Sequence, residues 1–458
     1  MSSPWRSWRD MTWMWPSMTK ASRCSDGWAA RVTEHRARRN ARSMAGPTPV
    51  YRRIEPNPGW YEEERARGPP RRPPFRAGNL RNWETMKDPN RRDILRLGAG
   101  LGLAAAPRAL AAAGRLRFTR YEIFPTSIPM AERVRAAWEE SYRLQGTFQT
   151  HYSAVFVRMH TDEGLTGICE ALTGAAQAEA IAKRMIGHSP VEYFMDDSIQ
   201  GLLMAVHDIL GQATGMSVAR LLSTSPKTRI EHTWWTHCLP PDLMASEAKL
   251  AASLGYRVHK VKARPWQDPL EQAAAMCAVV PKEYRIWADA NASWGSPSRA
   301  LHFINGLAKH SNYFAVESPV QYRNVASFRA LKGKSPLKIA EHMGEDPMTF
   351  VNEGLVQAFV IGGPLGRTMA KRALMAEATQ VPLWVEYATQ SGVAQVYQAQ
   401  QAAAYPGIEY CITVTHCLAD DMMVEPFRMQ AGYYTVPTGP GIGATLDMAA
   451  VEKYRVKG

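Results

Sequence analysis

Between Val258 and Met343 the chain alternates two kinds of apolar pattern. Four short β-favouring runs, VHKVKA, RIWADA, NYFAVE and LKIAE, each close on charged residues, and between them lie segments with helical periodicity at Asp268–Val280, Ser298–His310 and Val325–Lys332. The charged ends are evenly spaced: 27 positions separate Lys262 from Asp289, 28 separate Asp289 from Glu317, and 24 separate Glu317 from Glu341. A strand, a helix and two short loops consume about that length, so the pattern predicts successive βα units of a parallel sheet. Side chains at the C-terminal ends of such strands converge on one mouth when the sheet closes into a barrel.

The rhythm extends both ways. RIEHTWWTH reads as a first barrel strand, and QAFVIGG, PLWVEYA and EYCITVT continue the series, which places a barrel at 229–430. Ahead of it, 115–228 has mixed patterning. RFTRYEIFPTSIP and SAVFVRMHTDEGLTGICEA predict strands turning at Asp162-Glu163-Gly164, and helices follow at Ala175–Ile186 and Ile199–Thr214, the second ending before Gly215. This is an α+β domain. His207-Asp208 inside its second helix reads as a buried structural ion pair. After Pro426 the chain turns Gly- and Pro-rich, and 431–458 forms a C-terminal tail. Gly439-Pro440-Gly441-Ile442-Gly443 lacks the Lys-Ser/Thr of a phosphate loop and reads as structural.

Charge changes the picture at one end only. The 458 residues carry a formal +13, but residues 1–114 hold 22 Lys and Arg against 10 Asp and Glu, whereas 115–458 hold 33 against 32. The basic character belongs to a leader, and the rest is nearly neutral. Residues 1–85 are rich in Arg, Trp and Pro and lack periodicity, which reads as a disordered or mis-started extension and not as a nucleic-acid-binding module. Residues 86–114 follow with Asn90-Arg91-Arg92-Asp93, the ten-residue apolar run Leu97–Ala106 and Ala109-Leu110-Ala111. Paired arginines, a short apolar segment and an A-x-A site resemble a twin-arginine signal peptide, removed after export of a folded protein to the periplasm. The run is too short for a stable membrane anchor. Six cysteines with no CxxC predict buried free thiols, Cys411 and Cys417 being the only near pair.

The candidate chemistry lies at the four strand ends. Asp289, Glu317 and Glu341 are hard oxygen donors that suit Mg2+, with Mn2+ as a substitute, and the set holds no Cys or His to favour Zn2+. Lys262 ends the preceding strand, and Lys260 shares its face by the two-residue period. Two ammonium groups facing each other lower each other's pKa, toward the ~7–8 a general base needs. Glu345 lies close enough in sequence to compete with Glu341. His232, Trp234, Trp235 and His237 in the first strand, and His416, Asp420 and Asp421 after the last, are candidates for touching substrate.

Taken together, TDEGLTGICEA, AVHDILGQATGMSVARLL, the KxK of Lys260-Val261-Lys262, the DAN of Asp289 to Asn291, the VES of Glu317, the AEH of Glu341 and the ending VPTGPGIGATLD resemble the enolase superfamily, specifically its mandelate racemase/muconate lactonizing enzyme group, over about 117–456. The resemblance implies a modified TIM barrel, (β/α)7β, under an α+β capping domain, with the tail returning to the cap. It implies Asp289, Glu317 and Glu341 as metal ligands, Lys262 as base with Lys260 assisting, and removal of the proton α to a substrate carboxylate through a metal-stabilised enediolate. It also implies that Phe124–Met130, ahead of the cap's first helix, belongs to the region that closes over the barrel mouth and carries specificity. The family's second acid/base, a Lys on the sixth strand or an Asp–His pair on the sixth and seventh, is missing: these strands read Phe359 to Gly363 and Trp384-Val385-Glu386-Tyr387. Glu386, Tyr387 and His342 are the replacements at hand. The expected enzyme is therefore a dehydratase or cycloisomerase of a small hydroxy or sugar acid. The alternatives are a racemase or epimerase using Glu386 or His342, and a non-catalytic periplasmic carboxylate-binding protein. A homo-oligomer is expected by analogy of fold alone.

Overall fold

The computed structural model describes residues 114–135, 150–363, 365–386 and 390–456. The leader, the twin-arginine segment through residue 113, Cys24 and Tyr387 lie outside them.

The first described domain is a three-stranded antiparallel sheet with helices against it. Strand β1 (Phe118–Pro129) pairs with β2 (His151–Thr161), which turns through Gly164 at φ 78° into β3 (Thr166–Glu170). Helices α1 (Ala175–Met185), α2 (Leu202–Thr214) and α3 (Val218–Leu222) follow. Most of α2 is buried, and it stops at Gly215, whose left-handed φ of 69° is the conformation a glycine adopts without cost.

Eight parallel strands then close into a barrel: β5 (His232–Thr236), β6 (Val258–Lys262), β7 (Arg285–Asp289), β8 (Tyr313–Glu317), β9 (Lys338–His342), β10 (Ala358–Gly362), β11 (Leu383–Glu386) and β12 (Ile408–Thr413). Between them run α4 (Pro241–Ser253), α5 (Pro269–Cys277), α6 (Pro297–Leu307), α7 (Val325–Leu331), α8 (Pro347–Asn352), α9 (Arg367–Thr379) and α10 (Gly392–Ala404), so among the described residues the order is (β/α)7β. Several helices start on a side-chain cap with proline in the first turn, as at Asp268, Ser296 and Asp346.

The barrel interior is a packed layer of Val258, Trp287, Ala315, Ala340, Ala358, Val360, Trp384, Tyr410 and Ile412. The Trp287 and Trp384 rings lie 4.5 Å apart and fill the space that the alanines leave. This layer is the floor on which the charged strand ends stand.

Two local expectations change. The first barrel strand is shorter than RIEHTWWTH: Arg229–Ile230 forms its own strand, β4, paired antiparallel with β13 (Tyr434–Thr435) of the tail. His207 and Asp208 do not pair with each other. Adjacent residues on a helix point about 100° apart, and each finds its own partners. His207 Nε2 bonds to the Phe194 carbonyl at 2.7 Å and its Nδ1 to the Tyr397 hydroxyl at 2.8 Å. Asp208 accepts the backbone N–H of Ile168 at 3.1 Å and of Ile442 at 2.9 Å. Through the second bond the glycine-rich tail loop docks on α2, and Gly441 fits there because a Cβ would sit 2.2 Å from Asp208 Oδ1. Helix α11 (Met448–Tyr454) follows, and Val456 donates to the Pro125 carbonyl at 2.9 Å. Cys169, Cys238, Cys277, Cys411 and Cys417 are all free thiols. No described helix is long and apolar enough to cross a membrane.

Burial holds several imidazoles neutral. It pushes His207 down to about 4 and His259, enclosed by Thr236 and Tyr284, down to about 3. Below an unfolded value of about 6.5 the unfolded chain takes up protons that the folded one refuses, so stability falls as pH drops from there toward the folded values. Each such histidine adds a slope of about 1.4 kcal/mol per pH unit. Urea midpoints should fall steeply from pH 7 to pH 5, and His259→Asn should flatten that dependence.

Candidate active site

Parallel register lays the strand ends side by side. Lys262 on β6 stands opposite Asp289 on β7, Asp289 opposite Glu317 on β8, and Gly362 on β10 opposite Glu386 on β11. Lys260 and Trp287 form the tier below. Because side chains alternate, every second residue above the packed floor faces the mouth: Lys260 and then Lys262 above Val258, Asp289 above Trp287, Glu317 above Ala315, Glu386 above Trp384.

Lys260 sits at the centre with no exposure to water. Its Nζ lies 2.9 Å from Glu317 Oε1, 3.3 Å from Asp289 Oδ2 and 2.5 Å from Glu386 Oε2. Burial alone would favour the neutral amine, but these carboxylates outweigh it and hold the ammonium well above the ordinary lysine range. The expected lowering of Lys260 by its neighbour therefore does not occur in this arrangement. Lys262, partly exposed, donates to Asp289 Oδ2 at 2.5 Å, and its amine lies 6.0 Å from the Trp235 ring centre. Burial opposes the ionised Asp289, yet the Lys262 and Lys260 ammoniums hold its carboxyl well below the usual range. Glu386 is likewise held low, Lys260 being its strongest partner against burial.

The sequence-derived ligand set regroups. Among the described residues, the three ligand groups whose donor atoms come within 4.8 Å of one another are Glu317, His342 and Glu386. Asp289 joins them through Lys260, and Glu341 stands beside Glu317 and Ser318. By the two-residue period Ala340 packs in the barrel floor and His342 shares its face above it. His342 Nε2 lies 3.2 Å from Glu317 Oε1 and 3.5 Å from Glu386 Oε1. Burial would lower its pKa, but those two carboxylates raise it to about 9. Glu341 is fully buried, its Oε1 accepts the His342 N–H at 2.8 Å, and its Oε2 has no hydrogen-bond partner. Burial accordingly pushes its carboxyl up to about 8. Glu345 is exposed.

The donors fit a hard divalent cation. Four buried or half-buried carboxylates gather at these strand ends with two lysines and one histidine, and Glu341 Oε2 is a buried acceptor without a hydrogen bond.

Other sequence candidates divide between mouth and scaffold. Trp235 and His237 stand by the mouth; His237 is kept neutral, pushed down to about 3 by burial and then by the Arg264 and Lys262 charges. His232 is buried against Phe427 and Tyr434. Trp234 donates to Glu247 at 3.2 Å and stacks on His416 at 3.5 Å, so both are packing residues. Asp420 and Asp421 accept backbone N–H groups of Met422, Met423 and Phe427 and brace their own loop. Phe124–Pro129 is strand, and Met130 bridges to Leu418 just beyond the last barrel strand.

Arg264 was not among the sequence candidates, although its position two residues beyond Lys262 repeats the KxK interval. Its Nε and Nη2 both donate to Asn291 Oδ1, at 3.2 and 2.9 Å.

Residues 243–450 match the family described as enolase C-terminal domain-like. The barrel of this chain is enolase C-terminal domain-like. The chain is 23% identical to the D-gluconate dehydratase of Thermoproteus tenax over 66% of this chain and 70% of that one. It is also 23% identical to the cis-3-hydroxy-L-proline dehydratase of Roseibium aggregatum, over 72% and 96%. In structure the enzyme resembles the N-succinyl Arg/Lys racemase of Bacillus cereus, with a TM-score of 0.61 at 17% identity over 74% of this chain and 98% of that one. Enzymes of the enolase superfamily generally use Mg2+, and the acidic cluster at the mouth is a group able to hold a metal ion.

Removing Lys260 would leave its carboxylates facing one another without their shared cation. Lys260→Met should lower unfolding stability by about 3–5 kcal/mol in chelator at pH 7.5. Lys262→Met, at a partly hydrated position with one carboxylate partner, should cost less. Urea titration of the two variants side by side checks the order.

Proposed function

We propose that the enzyme dehydrates a small hydroxy or sugar acid, beginning with removal of the proton α to its carboxylate. The observation that carries this reading is that Lys262, held by Asp289, and a second acid/base unit, His342–Glu386, belong to one cluster at the barrel mouth, joined through Lys260. The sequence lacks the usual group on the sixth barrel strand, and here a carboxylate–imidazole pair comes from the fifth and seventh instead. Dehydratases among the similar proteins support the same reading.

In this mechanism the Lys262 amine takes the α-proton, and the electron pair left behind moves onto the carboxylate oxygens. Lys260 places a positive charge beside them. The pair then returns to form the carbon–carbon double bond as the β-hydroxyl departs, taking a proton from His342 and leaving as water. Where the α-carbon also carries a hydroxyl, as in a sugar acid, the product is an enol and tautomerises to a 2-keto acid. Glu386 holds the imidazole toward the leaving group and balances its charge. Asp289 and Glu317 would hold a Mg2+ ion, or Mn2+ in its place, with the orphaned oxygen of Glu341 as third donor. Such an ion, when bound, stabilises negative charge on the substrate carboxylate. A racemase or epimerase is the second reading, favoured by the same His342–Glu386 pair if it returns a proton to the α-carbon. The twin-arginine motif supports export of the folded enzyme to the periplasm.

An aldonate and hydroxy-acid library in D2O with Mg2+ separates these readings. Lys262→Ala should abolish both 2-keto product and α-deuterium incorporation. His342→Asn should reduce product by about 10²–10⁴-fold while α-exchange persists. Inverted substrate without keto product would establish the racemase reading. Absence of both product and exchange in the metal-loaded enzyme across the library would overturn the dehydratase.

A further inference from the structure

The β6–β7 register carries a second tier above the ion pair, and its contacts run back into Asp289. Lys262 faces Asp289, and two residues further along each strand end Arg264 faces Asn291. Asn291 grips both oxygens of the Asp289 carboxylate: its backbone N–H donates to Oδ1 at 2.9 Å and its Nδ2 to Oδ2 at 3.2 Å. To do so it adopts φ 47°, and Ala292 follows at φ 62°. Two successive non-glycine residues in the left-handed region are uncommon and persist only where surrounding contacts over-determine them. Here the contacts are the Arg264 fork on Asn291 Oδ1, the Tyr322 hydroxyl accepting from Nδ2 at 3.1 Å, and the Ala292 N–H bonded to the Ser318 carbonyl at 2.8 Å. Arg264 is itself steadied by Trp266, whose ring centre lies 5.1 Å from its Cζ.

We propose that Arg264 is a positioning residue for the cation site: its guanidinium locks Asn291 in the left-handed conformation that aims the Asp289 carboxylate into the mouth. This rests on the assignment of Asp289 as a ligand in the proposed function. Groups that orient metal ligands from behind commonly carry 10–100-fold in metal affinity. The sign of the effect is diagnostic. An arginine acting only through its charge repels a nearby cation, so its removal would tighten binding. An arginine acting through Asn291 orients the ligand, so its removal weakens binding.

The test measures Mn2+ affinity by calorimetry and by the paramagnetic signal of the free ion, with thermal unfolding in chelator as a control for folding. Arg264→Gln should bind Mn2+ about 10-fold more weakly than wild type. Arg264→Lys, which keeps the charge but not the fork, should be weakened as well. In an Asn291→Ala background Arg264→Gln should have little further effect, since both changes break one relay. Tighter or unchanged binding in Arg264→Gln, or an equal loss with and without Asn291, would overturn the proposal. Wild-type binding that Asp289→Asn leaves unchanged would instead overturn the ligand assignment beneath it.

Discussion

A lysine ammonium sealed from water is stable only where opposite charges replace its hydration. Lys260 meets that demand with carboxylates from three different strands, Asp289 on β7, Glu317 on β8 and Glu386 on β11. The contact spans the barrel instead of linking neighbours in sequence, so it requires the sheet to be closed. It also requires the floor of Trp287, Trp384 and Tyr410 to be filled, because a wet interior would hydrate the amine and loosen its hold. Packing below and electrostatics above are therefore one construction. The aromatic floor lowers the local polarity, and the lowered polarity makes the charges bind tightly enough to keep their geometry.

What was legible in the chain follows from this. Asp289, Glu317 and Lys262 terminate strands whose inward phase is fixed by register, and the even spacing of charged ends identifies them without coordinates. Glu341 and His342 were harder. Both end the same strand, and the phase of β9 is set by which of its neighbours packs into the floor. Ala340 does, so the imidazole faces in. No pattern in KIAEH alone reveals that phase, since Ile339 and Ala340 are both apolar. Glu386 was legible as a charge and not as a partner of Lys260, a contact 126 residues distant. The His207-Asp208 pair shows the converse error: adjacency in sequence implied an ion pair that helix geometry forbids.

The cap is bound to the barrel by the same logic of buried charge with obligatory partners. Glu170 at the end of β3 is buried, and burial raises its carboxyl pKa; it accepts the Ser391 N–H at 2.8 Å and hydroxyl at 2.6 Å, and also bonds to the Tyr152 hydroxyl. Ser391 precedes α10, on the connection that leaves Glu386. On the other side Arg133 pairs with Glu247 of α4 and donates to the His416 carbonyl at 3.0 Å. A residue lost from either cluster strands a buried group, so these contacts specify how the cap seats as well as stabilising it.

The relocated second acid/base has a consequence for the chemistry the barrel admits. A pair on the sixth and seventh strands would stand across the barrel from Lys260 and Lys262 on the second. Moving the imidazole to the fifth strand places it against Glu317, one of the groups that hold the centre together, and leaves Gly362 on the sixth with no side chain. His342 therefore answers two demands at once: it balances Glu317 and Glu386, and it is the acid that the proposed elimination requires.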